Sequence, residues 1–102
     1  MANTGELLIP PAVKGDTKAR EMLRAWIAHQ DLHCSLYIGV WGGAEDKEML
    51  GWGILLTDVV RHVADALYRE KGLEKEATVN RIRQVFNAEL DSPTAQPRGN
   101  FV

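Results

Sequence analysis

From about residue 47 to residue 71 the chain reads as one long helix whose opening turns are apolar nearly all the way round. In the later turns Thr57, Asp58, Arg61, His62, Asp65 and Arg69 share one arc, while Leu56, Val59, Val60, Val63, Ala66 and Leu67 lie opposite, as on a two-sided surface helix. On the same wheel Leu50 and Ile54 fall in the arc that is polar further along, so residues 49–56 need cover on every side. Either this stretch threads the domain's own core or another subunit covers it. A rival reading makes Met49 to Leu56 a strand hairpinned onto residues 32–41, with Gly51 and Gly53 marking close backbone approach. The helix is preferred, because glycine is only weakly unfavourable inside helices and the downstream periodicity is strong.

The remaining elements are read from their periods. Leu7-Leu8-Ile9, closed by Pro10-Pro11, suggests a short strand that stops where the ladder donors run out. Asp16 or Thr17 offers an N-cap, and Ala19, Met22, Leu23, Trp26 and Ile27 follow at i, i+3, i+4 spacing, predicting an amphipathic helix that ends near His29-Gln30. The period then becomes two. Leu32, Cys34, Leu36, Ile38 and Val40 alternate with His33, Ser35, Tyr37, Gly39 and Trp41, a strand with one dry and one mixed face, ended by Gly42-Gly43. Glu45 or Asp46 is placed to complement the start of the long helix, and Gly72 to end it. A further helix over 74–91 carries Val79, Ile82, Val85, Phe86 and Leu90 on one face. The expected organisation is a single α+β domain over 1–91 in the order strand, helix, strand, long helix, helix. Residues 92–102, with Pro93, Pro97 and Gly99, form a mobile tail unless Phe101-Val102 docks. Two short strands make a marginal sheet with an open edge, so the sheet is expected to be completed by dimerisation.

Composition narrows the function classes. Of 102 residues, 45% are hydrophobic and 25% charged, ordinary for one globular domain. Twelve Lys and Arg against fourteen Asp and Glu argue against a chain that coats nucleic-acid phosphates. Around the last helix Arg69, Lys71, Lys75, Arg81 and Arg83 outnumber Glu70, Glu74 and Glu76 only slightly, too mixed for a nucleic-acid footprint. A single cysteine, Cys34, excludes an internal disulfide and a cysteine-rich zinc site. Met1-Ala2-Asn3-Thr4-Gly5 lacks the basic and apolar regions of a secretory leader, and no apolar run nears the roughly 18 residues that span a bilayer. A cytoplasmic protein without a membrane partner is expected. No Walker loop, Gly-x-Gly-x-x-Gly, Gly-x-Ser-x-Gly or His-Glu-x-x-His occurs, and no motif calls for a cofactor.

Candidate chemistry is thin. His29, His33 and Cys34 do not converge, since His33 and Cys34 alternate to opposite strand faces, and no metal set is expected. Asp58, His62 and Asp65 share a helical face that resembles a site but satisfies itself through exposed i, i+4 pairs, such as Arg61 with Asp65. The mixed strand face, His33, Ser35, Tyr37 and Trp41, combines polar groups with aromatic area and is the better candidate for binding. His33, Tyr37, Trp41, Asp58 and His62 are thus the candidate ligand residues, and Leu50, Trp52, Ile54 and Tyr37 the candidate dimer contacts. Trp41 and Trp52, bracketing the glycine turn, are placed to pack together.

The run Leu32 to Trp41, followed by Trp52-Gly53-Ile54-Leu55-Leu56-Thr57-Asp58-Val59-Val60-Arg61-His62-Val63-Ala64, resembles a family of small bacterial proteins classed as a domain of unknown function. Leu8-Ile9-Pro10-Pro11 and Arg81-Ile82-Arg83 with Phe86 and Glu89 extend the resemblance over most of residues 7–92. It implies a bacterial, cytosolic, single-domain protein and transfers no catalytic residue. The expectation is a homodimeric binding or structural module without catalysis. The alternative is a small-molecule-binding protein or enzyme with a site on the 33–41 strand or the Asp58/His62 face, its ligand unidentified.

Overall fold

The computed structural model describes residues 5–101; Met1 to Thr4, read above for a leader, and Val102 lie outside the described residues. The elements are β1 (Leu23–Ala28), β2 (Asp31–Leu36), α1 (Glu45–Lys71), α2 (Lys75–Asp91) and β3 (Gly99–Phe101). They make a small α+β fold with a three-stranded sheet in the order β1-β2-β3, the first pair antiparallel and the second parallel.

The N-terminal third departs from the sequence reading. Leu7 to Ile9 form no strand and are exposed, because Pro10 and Pro11 withhold ladder donors and lead into a 3-10 turn over Pro11–Val13. Residues 16–30 are not a helix. The Asp16 carboxylate accepts from the Lys18 N–H at 2.8 Å, a local bond that competes with helix initiation. The chain then enters β1. Over six residues both periods fit, and Leu23, Ala25 and Ile27 alternate with Arg24, Trp26 and Ala28 as readily as they follow a helical stripe. The decision comes from the turn. His29 and Gln30 take φ of 52° and 67°, the two positive values of a type I′ hairpin, and pair Ala28 with Asp31 through to Leu23 with Leu36.

β2 stops at Leu36, five residues before the expected end at Trp41. The Tyr37 N–H still bonds the Met22 carbonyl at 3.0 Å, after which the chain leaves the sheet and Gly39 adopts φ 101°. The segment 99–101 of the tail docks as β3: the Cys34 N–H bonds the Arg98 carbonyl at 2.9 Å, and Arg98 pairs with Asp31 at 3.6 Å. Glu89 holds the start of the tail by accepting from the Thr94 N–H at 3.0 Å.

The helical half follows the sequence. α1 runs unbroken through residues 49–56, so the strand alternative for that stretch falls. Its N-cap residue is Ala44, which supplies no side-chain cap bond; neither Glu45 nor Asp46 fills that position. Gly72, in the left-handed region at φ 69°, ends α1 as expected, and its N–H bonds back to the last turn. Glu74 caps α2, its carboxylate accepting from the Glu76 and Ala77 N–H groups at 3.0 and 2.9 Å. α1 and α2 pack as an antiparallel hairpin near this turn, where Val60, Leu67, Val79 and Ile82 are half-buried and Ala64 is 2% exposed. Among the described residues no helix is long and apolar enough to cross a membrane.

Candidate functional site

The loop between β2 and α1 is fastened to the first turns of α1. Trp41 lies edge-on to Trp52, ring centres 5.8 Å apart at 79°, the pairing expected from the sequence. It lies so close to the helix backbone that a Cβ on Gly51 would sit 2.3 Å from its indole ring, so only glycine fits there. Glu48 completes the clasp. Its Oε2 accepts from the Gly39 N–H at 2.9 Å and from the Trp52 indole N–H at 3.0 Å. Sequence reasoning missed Glu48, although its place four residues before Trp52 on a helix was a usable signal.

The candidate ligand residues are spread over separate surfaces. His33, on the polar face of the sheet opposite Trp26, donates from Nε2 to the Ala28 carbonyl at 3.2 Å. On the same face Arg24 binds Glu21 and Glu6, and the hydrogen bond it donates to Glu21 leads in holding its guanidinium above the ordinary range. Tyr37 lies beyond β2, under the Arg20 guanidinium at 5.8 Å. Trp41 lies in the loop, so the supposed mixed strand face of His33, Ser35, Tyr37 and Trp41 is not one face: strand alternation ends at Leu36. Asp58 and His62 are exposed on α1, and Asp65 pairs with Lys75 of α2 at 3.2 Å rather than with Arg61. Among the described residues no group of three or more His, Cys, Asp or Glu side chains is placed to hold a metal ion.

What the fold does gather is apolar surface without cover. Registered residues share a face, so Leu23, Ala25 and Ile27 lie beside Leu36, Cys34 and Leu32, with Phe101 next to Leu36. Among the described residues neither helix makes close backbone contact with a strand. This apolar face is open at both ends, with Ile27 82% and Phe101 77% exposed. The helices have a second opening. Met49, Leu50, Gly53 and Ile54 line a shallow groove on α1 bordered by Thr57 and Asp58, and Ile82, Val85, Phe86 and Leu90 line another on α2. Of the candidate dimer contacts, Leu50 and Ile54 lie in this surface, whereas Trp52 and Tyr37 are half-buried within the chain.

The magnitude of this opening can be judged from size. The chain exposes 9054 Å², whereas a folded monomer of its mass exposes about 5,800 Å². Its radius of gyration is 15.7 Å, against about 13 Å for a domain of this length.

A search of curated proteins finds no match. Among solved structures, a protein from the photosynthetic bacterium Rhodopseudomonas palustrus CGA009, provisionally named a pyruvate dehydrogenase, is similar at 34% identity. The match covers 94% of this chain and 93% of that one, with a TM-score of 0.68. The family model described as "Domain of unknown function (DUF5076)" matches residues 6–94, as the Leu32–Trp41 and Trp52–Ala64 runs led one to expect, and the chain belongs to that family.

Proposed function

We propose that the chain is a self-associating binding or structural module that works as a homodimer, with residues 49–56 and the β2 region in the self-contact. One observation carries this reading: each protomer exposes about 3,300 Å² more than its mass warrants. Obligate homodimers bury roughly 2,000–5,000 Å² in total, so the excess on two copies is ample for a stable interface.

The module reading is favoured over a small-molecule site because His33, Tyr37 and His62 border neither of the two apolar grooves, and Asp58 alone reaches the rim of one. The same dispersal gives the name of the Rhodopseudomonas protein nothing to attach to on this chain. The test is Ile54→Asp, which places a charge in the proposed contact. Sedimentation equilibrium at micromolar concentration is expected to give twice the chain mass for the unsubstituted protein. For Ile54→Asp it is expected to give the monomer mass, or unfolded chain. An Ile54→Asp protein that stays folded and dimeric refutes the contact.

A further inference from the structure

Resting on that self-association reading, we infer that the two copies cover each other reciprocally: the apolar sheet face of each protomer seats on the open helical surface of the other. The sheet side is the apolar face with Ile27 and Leu32 at one end and Phe101 at the other; the helical side is Leu50 and Ile54 of α1 with Phe86 of α2.

Layer architecture supplies the first argument. A sheet with an apolar face is stable only when another layer covers that face, and a helix pair with apolar grooves has the same need. This chain holds one of each, and among the described residues their backbones make no close contact within the protomer. Trp41 covers α1 at Gly51 and Trp52, while Met49, Leu50 and Ile54 beside them stay 66%, 59% and 56% exposed, as Leu90 does at 69% on α2.

Closure supplies the second. If sheet met sheet and helices met helices on different two-fold axes, the two self-complementary patches would join copies beyond a pair. If only one of them formed, the other patch would stay exposed on both copies. A reciprocal sheet-on-helix contact uses one two-fold axis, covers both patches and stops at two copies. The excess area of about 3,300 Å² per chain, which also includes the exposed irregular segments 5–18 and 92–98, leaves room for two such seams.

Shape is consistent with this. Across the sheet the middle row is small, Ala25 beside Cys34 beside Gly99. The rows on either side carry Ile27 with Leu32, and Leu23 with Leu36 and Phe101. Those rows are four residues apart along the strand, about 13 Å, which admits a helix of about 10–12 Å. Two such hollows set face to face would leave a void between their floors.

The test exploits Cys34, the single cysteine, on the floor of that face. Ile54→Cys is introduced, and the protein is oxidised at micromolar concentration, with peptide mapping of the disulfides and light scattering on the reduced sample. An equal mixture of isotopically light and heavy chains identifies bonds between copies. The expected result is a Cys34 disulfide to position 54 of the other copy in most chains, with no covalent dimer from the unsubstituted protein. Phe86→Cys provides a second, independent position should Ile54→Cys fail to fold. A dimer linked Cys34 to Cys34, or 54 to 54, or not linked at all from either position, overturns the reciprocal arrangement while leaving self-association standing. A monomer mass overturns both.

Discussion

Gly51→Ala is ordinarily a stabilising change, since alanine in a helix interior is favoured over glycine by about 1 kcal/mol. Here the sign reverses. The new methyl carbon would meet three atoms of the Trp41 ring at 2.3, 2.5 and 2.6 Å, against the 3.5–4.0 Å of a normal carbon contact. The indole must retreat by about 1 Å or more, which strains the loop at about 1–3 kcal/mol and weakens an edge-on Trp pair worth about 0.5–1.5 kcal/mol. After subtracting the helix gain, the variant should lose about 0.5–3.5 kcal/mol, with Tm falling by about 4–8 °C for each kcal/mol lost in a domain of this size. In a Trp41→Ala background the obstruction is gone, and the same Gly51→Ala change should stabilise by up to about 1 kcal/mol. Urea unfolding of the four proteins of this cycle, at one fixed concentration and followed by far-UV circular dichroism, gives the coupling directly. If Gly51→Ala stabilises both backgrounds equally, Trp41 does not rest on the helix and the clasp described here is wrong.

Other substitutions probe the remaining local devices. Replacing His29-Gln30 by Asn-Gly, residues that accept positive φ readily, should raise stability by about 1 kcal/mol; an unchanged urea midpoint would remove the type I′ turn. Glu48→Ala takes the acceptor from the Gly39 and Trp52 N–H groups and should cost about 1–2 kcal/mol, with a red shift of tryptophan fluorescence as the loop loosens. The idea fails if emission and stability both stay put. Glu74→Ala removes the cap of α2 and should cost about 1 kcal/mol with slight loss of helical signal, whereas a neutral result would mean the cap is dispensable.

The helical half was legible in the sequence because its signals extend over many turns. The Leu56-to-Leu67 stripe, the Gly72 stop and the Val79-to-Leu90 stripe repeat often enough to fix the period, and the apolar excess at Leu50 and Ile54 corresponds to a surface the chain leaves open. The N-terminal third was not. Between Met22 and Ile27 there are too few residues to separate a period of two from one of 3.6, and the turn that decides it carries His29 and Gln30 instead of the usual Asn-Gly. β3 was hidden for a different reason: three residues after a proline-rich stretch carry almost no periodicity, and their pairing with Cys34 to Leu36 is non-local. The wrong end of β2 placed Tyr37 and Trp41 on a common face. In the fold Trp41 instead fixes the loop to α1, and the residue that shares this task, Glu48, belongs to a helix face that carried no motif.

The central claim is that the sheet face and the helical grooves are covered by a second copy. Multi-angle light scattering of the purified chain at micromolar concentration measures this most directly. The account predicts twice the 11.4 kDa chain mass, with dissociation only on strong dilution or on placing a charge at Ile54. A stable, folded species of 11.4 kDa at the same concentration would contradict it.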